Sequence, residues 1–524
     1  MPPLSAFTIS YFNGTQVSVT LSDDGAQLKS KFLSLKTPQD IATLLDVPYN
    51  RLIYHLYRKP PADRYTTFTI GKNNGELRTI LAPISSLKII QRKLKQVLEN
   101  AYTPKPSVHG FVLTKSILSN ARMHTKQRYV FNVDLKDFFP TINFGRVRGM
   151  FMGFPYKLPK NVATVLAQIC CFNNQLPQGA PTSPIVSNMI CAHLDSDLQR
   201  LAKTNKSIYT RYADDIAFST STRSFPPSIA TIDKLGQVQV GRKLNTIIVN
   251  NGFEIKPNKV WLRQKDRRQL VTGLVVNQFP NVRRKYTNQI RAMLYAYSKF
   301  GLKAANEEFL KSYDQKHRGP TKNAPRFQLV LKGKLDFLSM IRGKDDPLYL
   351  RLVNQLKSIG LLERFDSLIR STDHQARGYE VQSLLKEVFE VYAIPVTGSF
   401  TRNKGAEQID GAFEFDGWHY IVECRWRQEI ANVRELDGLH GQVCRAGKQT
   451  MGLFLSINGW SKNVPELLKQ NPEKAILLMD GEDLYIVLSA IVTLPNLLRA
   501  KLARLNLYAE PFYSAKELIL KEGS

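Results

Sequence analysis

The feature that most constrains this chain is a pair of adjacent aspartates, Asp214 and Asp215, which lies between two short apolar runs. Neighbouring side chains of a strand point to opposite faces of the sheet, so we expect the pair at a tight turn between two strands. Two like charges held side by side without a cation are unfavourable, because each opposes ionisation of the other. The pair is therefore either the acidic tip of an ordinary hairpin or a point where two carboxylates reach a metal ion.

A carboxylate elsewhere in the chain favours the metal. The buried-strand pattern of Val130–Val133 ends at Asp134, and aromatic residues and Pro140 follow it. A carboxylate at the end of a core strand is a poor choice for packing alone, because its charge loses solvation there. Magnesium prefers carboxylate oxygens as ligands. We therefore interpret Asp134 as a metal ligand; the minor alternative is that Asp134 or Asp137 caps a helix.

The charge of the chain indicates the kind of partner it binds. Its 524 residues include 73 Lys and Arg against 44 Asp and Glu, which gives a formal net charge of +29. Nucleic acids bind basic surfaces through their phosphates, whereas solubility alone needs far less charge. The 43% content of hydrophobic residues suits a folded protein with roughly two to four domains rather than a disordered one.

The five cysteines predict no zinc knuckle. They are scattered along the chain and none forms a Cys-x-x-Cys pair, which is the spacing typical of such a site. An odd, scattered set fits reduced thiols in the cytoplasm. No charged leader and no apolar run of about 18 residues stands out, so we expect a cytoplasmic protein without a membrane span.

Hydrophobic spacing and turn residues predict several further elements. They are weak strands over residues 1–30, helices over Thr37–Leu45, Ser183–Leu198 and Ile232–Asn250, and a hairpin over Phe68–Ile80. Period-two spacing predicts the hairpin, and apolar residues three and four apart predict the helices. On the second helix we expect Asp195 and Asp197 to be surface charges rather than ligands.

Several motifs, taken in order, resemble those of reverse transcriptases. Tyr212–Asp215 is similar to the central Tyr-Ala-Asp-Asp signature. Asn120–His124 resembles the Asn-Ala-x-x-His motif of retron reverse transcriptases, and Val271–Gly273 resembles their Val-Thr-Gly motif. The match runs over about residues 35–362, and the shared order makes it specific where any single motif would be weak.

The resemblance implies an α+β right-hand polymerase with fingers, palm and thumb that copies a dedicated bacterial noncoding RNA. That RNA supplies both template and primer, and the product is branched RNA-linked DNA (msDNA), joined through a guanosine 2′ hydroxyl. In retrons such complexes serve antiphage defence. One rival is an intron-type or repurposed reverse transcriptase without branched product, which the two retron motifs disfavour. The other is a scaffold that only holds RNA, which the complete aspartate set disfavours. The oligomeric state, including a homo-oligomer, stays open.

The resemblance also implies roles for single residues. Two Mg²⁺ ions would be held by the catalytic set Asp134, Asp214 and Asp215. The deoxynucleoside triphosphate would be bound by Lys72 and Arg78 on the fingers hairpin, by Phe139 beneath the sugar, by Gln178 in a proline-fixed loop and by Lys259. RNA recognition is implied for Asn120, His124, Val271, Thr272 and Gly273. The residues alone leave alternatives open. Two basic residues on a hairpin are usually just solvated, and the alternatives are a core residue for Phe138 or Phe139, a plain surface lysine for Lys259 and, equally, a strand bulge for Thr272–Gly273.

Acidic residues also mark two predicted strands near the C-terminus. Asp410 precedes the first strand, Glu423 and Arg425 end the second, and Glu380 lies on the preceding helix. This pattern resembles restriction-endonuclease-like nucleases of the Mrr type, and it implies a small α/β domain in which Asp410 and Glu423 bind Mg²⁺. Arg425 replaces the family's lysine, and arginine, with a pKa above about 12, hardly acts as a base. The domain is therefore either an active or conditionally active DNA nuclease or a DNA-binding descendant; an ordinary α/β hairpin is the third interpretation.

The sequence therefore predicts four segments in a retron-like reverse transcriptase fused to a nuclease-like effector. They are an N-terminal helical region with the start of the fingers (1–64), the fingers and palm (65–282), the thumb (283–372) and the effector domain (373–524). We expect the RNA–protein complex to restrain the effector until phage infection.

Overall fold

The computed structural model describes residues 9–12, 15–71, 77–317, 324–371, 373–402, 407–427, 429–470 and 475–522. The chain divides into two compact units, residues 1–283 and 284–524, and each is described by itself. Within the described residues, none of the helices combines the length and the apolar character that crossing a bilayer would require.

The first unit contains twelve described strands and eleven α-helices. The strands are β1 (Ile9–Phe12), β2 (Thr15–Ser18), β3 (Tyr65–Gly71), β4 (Leu77–Pro83), β5 (Tyr129–Asp134), β6 (Ile208–Tyr212), β7 (Asp215–Thr220), β8 (Ala230–Ile232), β9 (Val238–Val240), β10 (Trp261–Gln264), β11 (Leu270–Val271) and β12 (Leu274–Val275). The helices are α1 (Gly25–Leu33), α2 (Pro38–Leu44), α3 (Tyr49–Ile53), α4 (Ser85–Ala101), α5 (Ile117–Met123), α6 (Phe138–Thr141), α7 (Phe144–Met152), α8 (Lys160–Cys170), α9 (Ser183–Ile190), α10 (Ala192–Thr204) and α11 (Arg242–Asn250). Tyr54–Arg58 forms a π-helical turn after α3, and Pro61–Asp63 and Pro257–Lys259 form 3₁₀ turns.

The centre of this unit is a four-stranded antiparallel sheet in the order β10–β5–β7–β6. Buried apolar side chains such as Val133 and Ile216 fill β5 and β7, because β-branched residues suit a pleated, covered surface. In the register of this pair, Asp134 stands opposite Asp215. The sheet therefore carries acidic residues of two neighbouring strands at the same end.

Several helices of the unit begin at residues whose side chains cap them. Asp24, Thr37 and Ser116 each accept a hydrogen bond from the backbone of the third helical residue, and such a cap stabilises a helix by about 1 kcal/mol. The structure confirms the helix predicted after Thr37. Residues 1–30, predicted as weak strands, also contain α1, which follows the cap at Asp24.

The predicted helix over Ile232–Asn250 is wrong in its first half. β8 and β9 form a hairpin there, and only Arg242–Asn250 is helical. The side chain of Asp233 accepts hydrogen bonds from the backbone N–H groups of Leu235 and Gln237, both at 2.9 Å. Gly236 completes the turn with a φ of 78°. A carboxylate that bonds its own backbone in this way favours a turn over a helix.

Two other predicted elements have a clear outcome. The helix predicted over Ser183–Leu198 is in fact two helices, α9 and α10, which meet at Cys191. The hairpin predicted over Phe68–Ile80 is confirmed, because β3 pairs with β4 in an antiparallel register. Its turn, with Lys72, lies outside the described residues.

The second unit begins with long helices and continues as a mixed sheet with helices. The helices are α12 (Arg284–His317), α13 (Phe327–Arg342), α14 (Pro347–Arg370), α15 (His374–Val391), α16 (Val433–Cys444), α17 (Asn463–Gln470), α18 (Gly481–Leu488), α19 (Leu494–Tyr508) and α20 (Ala515–Glu522). The strands are β13 (Val396–Thr397), β14 (Phe400–Arg402), β15 (Glu407–Ile409), β16 (Gly411–Phe415), β17 (Trp418–Arg425), β18 (Thr450–Ser456) and β19 (Ile476–Asp480). α12 is interrupted at Gly301, which has a φ of 74°.

The sheet of the second unit has the order β13–β16–β17–β18–β19. β16 and β17 form an antiparallel hairpin whose turn residues Asp416 and Gly417 have φ values of 48° and 81°, as tight hairpin turns require. β17, β18 and β19 run parallel. Leu361 and Phe365 of α14 belong to the same buried cluster as Val381 of α15, so residues from both sides of position 373 share one core. The four segment boundaries given above stay predictions.

Candidate active site

The three aspartates singled out from the sequence lie together at one end of the first unit's sheet. Asp134 ends β5 and stands opposite Asp215, the first residue of β7. Asp214 lies in the turn from β6, and its carbonyl accepts a hydrogen bond from the Leu135 N–H at 2.9 Å. Ala213, just before it, takes a left-handed φ of 56°. The turn therefore places two consecutive carboxylates beside the end of β5.

The positive charge near the three carboxylates is too small to keep all of them ionised at their ordinary pKa values. Burial, together with the charges of Asp134 and Asp214, raises the pKa of Asp215 to about 7. Burial and Asp134 also raise the pKa of Asp214. The Lys259 ammonium is ion-paired with Asp134, and this hydrogen bond raises the pKa of Lys259. The site favours a cation because each carboxylate opposes the ionisation of the others.

A divalent cation fits this donor set by its chemistry. Carboxylate oxygens from two neighbouring strands are the ligands that Mg²⁺ prefers, and Lys259 already brings a positive charge to Asp134. In the ranges that the structure describes, no group of three or more His, Cys, Asp and Glu has the ready arrangement of a metal site. Asp134, Asp214 and Asp215 would therefore have to draw together around an ion.

The predicted nucleotide-binding residues lie in different surroundings. Arg78 is close enough to Asp214 for its charge to lower the pKa of that carboxyl, against the larger effect of burial. The Gln178 carbonyl accepts a hydrogen bond from the Leu81 N–H of β4 at 2.8 Å, which ties its loop to the hairpin. Phe139 is half-buried, with its ring centroid 6.2 Å from that of Phe111.

Of the two phenylalanines weighed for the sugar, Phe138 is the core residue. It is 5% exposed and stacks on Phe253 with ring centroids 5.7 Å apart. Phe139 keeps part of its surface open to solvent. The structure thus leaves Phe139, and not Phe138, accessible to a nucleotide.

The side chains predicted to bind RNA through the Asn-Ala-x-x-His motif lie in the interior. His124 is fully buried, and its Nδ1 and Nε2 are each 2.7 Å from a hydroxyl, those of Ser219 and Thr210. Burial lowers the pKa of His124 to about 3. Asn120 is 1% exposed. The motif therefore fastens α5 to β6 and β7, behind the aspartates, instead of offering these side chains on a surface.

The Val-Thr-Gly segment is a hairpin turn rather than a strand bulge. Val271 pairs with Leu274 across β11 and β12, and Thr272 and Gly273 between them have φ values of 46° and 83°. A hydrogen bond from the Thr272 backbone partly offsets the burial that raises the pKa of Asp215. Val271 is buried, so only the tip of this turn faces solvent.

The prediction that Asp195 is a surface charge is wrong. Asp195 is completely buried and accepts hydrogen bonds from Nε and Nη2 of Arg211, both at 2.7 Å. Sequence reasoning missed this pair, although a signal existed: Arg211 lies in a short strand with Ile208 and two tyrosines, and a buried guanidinium requires an anion. Asp197 is partly exposed and pairs with Arg200, as predicted for a surface residue.

The acidic residues of the C-terminal segment line a cavity of about 490 Å³ in the second unit. Glu423 is 8% exposed, and its carboxylate is ion-paired with Arg425. Burial raises the pKa of Glu423, which Asp410 reinforces and Arg425 opposes. Oδ2 of Asp410 accepts a hydrogen bond from the Cys424 N–H at 3.2 Å. Asp410, Glu423 and Arg425 are thus brought together.

The fourth predicted member, Glu380, is not brought to this cavity. It lies on α15, but its carboxylate is ion-paired with Arg364 of α14. Gly378, Tyr379 and Gln382 are the α15 residues that line the cavity. Helical spacing explains the error, because neighbouring positions differ by about 100° around the helix axis. An adjoining cavity of about 290 Å³ also includes Lys386, which the sequence did not single out.

Comparisons with known proteins concern mainly the first unit. A family model of reverse transcriptases (RNA-dependent DNA polymerases) matches residues 70–274. The retron Mx65 reverse transcriptase of Myxococcus xanthus is 31% identical over 296 residues, which cover 52% of this chain and 66% of that protein. The retron Mx162 reverse transcriptase of the same organism is 33% identical, over 50% of this chain and 59% of that protein. The chain thus spans less than two thirds of the length of each of these two relatives.

A further relative is covered to a larger extent. The retron Ec86 reverse transcriptase of Escherichia coli is 34% identical over 235 residues, which cover 44% of this chain and 69% of that protein. Among solved structures, a telomerase from Candida albicans with a telomeric RNA fragment aligns at 10% identity over 61% of this chain and 66% of that chain. Its TM-score of 0.33 is too low to support a conclusion. On the sequence relationships, the chain belongs to the retron reverse transcriptases, a family of RNA-directed DNA polymerases.

Proposed function

We propose that this chain copies a cognate bacterial noncoding RNA into branched, RNA-linked DNA and acts in antiphage defence. The observation that carries the proposal is the convergence of three carboxylates, with Asp134 opposite Asp215 across the ladder and Asp214 in the adjoining turn. An acidic cluster of this kind suits the divalent cations on which nucleotidyl transfer depends. The similarity to named retron reverse transcriptases supports the RNA template.

The residues around the carboxylates suit the substrates of DNA synthesis. Magnesium held by the three aspartates would favour ionisation of the 3′ hydroxyl and neutralise the triphosphate. Arg78 and Lys259 bring positive charge to the aspartates, and we assign them to the phosphates of the incoming deoxynucleoside triphosphate. We assign Phe139 to the sugar, where a ring leaves no room for a 2′ hydroxyl.

The second unit offers a surface suited to single-stranded RNA. On α12, Tyr295 and Phe300 are 57% and 58% exposed. Between them, the Lys299 ammonium lies 5.4 Å from one ring centroid and 5.5 Å from the other. Exposed rings next to a cation form a stacking platform for bases, with the cation available to phosphates. We assign this face of α12 to the noncoding RNA.

Sequencing of the nucleic acid that copurifies with the full chain tests the proposal. Wild-type protein should carry RNA covalently linked to DNA, and the Asp214→Asn/Asp215→Asn variant should carry RNA alone. Asp266→Asn is the matched control, because this aspartate is exposed and lies on a loop between β10 and β11. Equal amounts of DNA on the wild-type protein and on the Asp214→Asn/Asp215→Asn variant would defeat the polymerase proposal. DNA without an RNA branch would instead favour an intron-type enzyme.

We further propose that the second unit is a nuclease-like effector that acts on DNA. The observation that favours it is that the buried Glu423 and the half-buried Asp410 line one polar cavity, where Asp410 reinforces the raised pKa of Glu423. Two carboxylates beside arginines are suited to a magnesium ion and a phosphodiester. The alternative is a DNA-binding domain without cleavage, since Arg425 is a poor base.

Phage protection assays separate these two roles of the second unit. If cleavage matters, Asp410→Ala and Glu423→Ala should abolish protection while the copurified RNA-linked DNA stays at the wild-type level. Glu414→Gln is the control, because this residue is exposed on β16 of the same sheet. Equal protection by all variants would leave a nuclease role without support, and the DNA-binding alternative would then be preferred.

A further inference from the structure

An arginine is buried directly behind the catalytic turn. Arg211 lies on β6, three positions before Asp214, and its side chain has no exposed surface. Its Nε and Nη2 donate to the two carboxylate oxygens of Asp195 on α10, both at 2.7 Å. The Tyr209 hydroxyl donates to the same carboxylate at 2.7 Å. This bidentate pair fixes the plane of the guanidinium with respect to α10.

The remaining arm of the guanidinium reaches the turn itself. Nη1 of Arg211 donates to the carbonyl of Ala213 at 3.1 Å. Ala213 has a φ of 56°, a conformation that a residue with a Cβ keeps only when its surroundings impose it. The hydrogen bond holds the peptide group that links Ala213 to Asp214. The direction in which the first catalytic carboxylate leaves the turn therefore depends on Arg211.

The backbone of His109 and Gly110 also packs against the turn. His109 donates its N–H to the Arg211 carbonyl at 2.8 Å. Gly110 follows, and a Cβ on it would lie 2.9 Å from the carbonyl carbon of Tyr212 and closer still to the Ala213 nitrogen. The turn therefore contacts both the guanidinium and the backbone of Gly110, and it has no room to relax toward Gly110.

We propose that Asp195 and Arg211 are positioning residues for DNA synthesis, which hold the turn of Asp214 and Asp215 beside the end of β5 so that these carboxylates can close with Asp134 around a metal ion. Neither side chain is exposed, so neither touches substrate. Stability alone does not explain the pair, because well-packed apolar residues in place of a buried ion pair are often neutral or stabilising. The guanidinium instead fixes the orientation of the Ala213 carbonyl, and with it the geometry of the turn. This inference rests on the proposed polymerase activity.

Replacing the whole buried group tests the inference without leaving an unpaired charge. The variant Asp195→Leu/Tyr209→Phe/Arg211→Met removes all three polar partners while keeping the apolar volume. It should melt near the wild-type temperature, yet incorporate single deoxynucleotides on an RNA template about 100-fold more slowly, as expected for a catalytic group misplaced by about 1 Å. Its half-saturating Mg²⁺ concentration should rise, because a displaced turn keeps the three carboxylates from closing around the ion.

Two further variants complete the experiment. Leu198→Ala, which hollows the core beneath α10, should lower the melting temperature without changing the Mg²⁺ requirement. If the triple variant does not fold, Arg211→Lys decides, since a lysine keeps the buried charge but cannot bridge Asp195 and Ala213 in the same way. A wild-type rate and Mg²⁺ requirement in the folded triple variant, or in Arg211→Lys, would overturn the inference. No incorporation by wild-type protein would instead defeat the proposed polymerase function.

Discussion

Binding of a divalent cation at Asp134, Asp214 and Asp215 should release a proton at neutral pH. Burial, reinforced by Asp134 and Asp214, raises the pKa of Asp215 to about 7. About half of the metal-free molecules therefore carry a protonated Asp215 at that pH. A cation stabilises the ionised carboxylate, so it must displace this proton when it binds.

The size of the effect follows from the pKa. The protonated fraction of Asp215 is about 0.9 near pH 6 and about 0.1 near pH 8. The apparent dissociation constant for Mg²⁺ should therefore fall about tenfold over this range, with most of the change below about pH 7. The raised pKa of Asp215 also affects the stability of the metal-free fold. Its stabilising contribution is fully present below pH 3.8, the ordinary pKa of an aspartate, and is lost as the pH rises through about 7.

Titration calorimetry of the full chain, freed of nucleic acid, measures both quantities. Titrations with Mg²⁺ in buffers of different ionisation enthalpy give the number of protons released. We expect about 0.9 near pH 6 and about 0.1 near pH 8. Asp266→Asn should behave as wild type, because this residue is exposed and distant in sequence from the carboxylates. Equal Mg²⁺ affinity at both pH values, with no proton released, would refute the assigned electrostatics.

Three other substitutions have expected outcomes. His124→Ala leaves the hydroxyls of Ser219 and Thr210 without their partner and should lower the free energy of unfolding by about 3 kcal/mol in urea melts. The lowered pKa of His124 has its own consequence: wild-type stability should fall as pH drops below the ordinary value of 6.5, where the unfolded histidine takes up a proton. Gly110→Ala forces a Cβ against the backbone of the catalytic turn and should slow nucleotide incorporation about 100-fold. Arg425→Lys supplies an amine that can transfer a proton and should speed DNA cleavage about 100-fold.

Each of these expectations has a contrary result. An unchanged urea midpoint for His124→Ala would mean that α5 does not depend on the buried histidine. Wild-type incorporation by Gly110→Ala would show that the turn tolerates displacement. If Arg425→Lys and wild type both leave DNA intact, the second unit does not cleave by the proposed chemistry, and DNA binding becomes the preferred role.

The central sheet was predictable because its signals are local. Short apolar runs around Asp214 and after Arg128 predict strands, and adjacent aspartates predict a turn between two of them. The hairpin of β8 and β9, which replaces the first half of the predicted helix over Ile232–Asn250, was missed for a local reason too. Apolar residues there have helical spacing, but the hydrogen bonds from backbone N–H groups to the Asp233 side chain favour a turn, and a hydropathy pattern does not contain them.

The interior polar contacts were not predictable from spacing. Asp195 has the position of a surface charge on a helix, and its burial follows only from the approach of Arg211, which tertiary packing brings to it. The resemblance implies that His124 binds RNA, yet its two ring nitrogens contact hydroxyls of two separate strands in the interior. The prediction for Glu380 was wrong for the opposite reason. Glu380 was expected in the site, but its carboxylate is ion-paired with Arg364 and does not line the cavity. Each outcome depends on which partner the fold supplies.

The most direct test of the account is single-turnover incorporation of a labelled deoxynucleotide by the full chain on a primed RNA template. Asp134 comes from a strand far in sequence from Asp214 and Asp215. Its substitution therefore tests whether the sheet joins these three aspartates in one catalytic site. Wild type and Asp266→Asn should incorporate at the same rate. Asp134→Asn, equally folded by circular dichroism, should show no incorporation above background. A wild-type rate for Asp134→Asn would contradict the account.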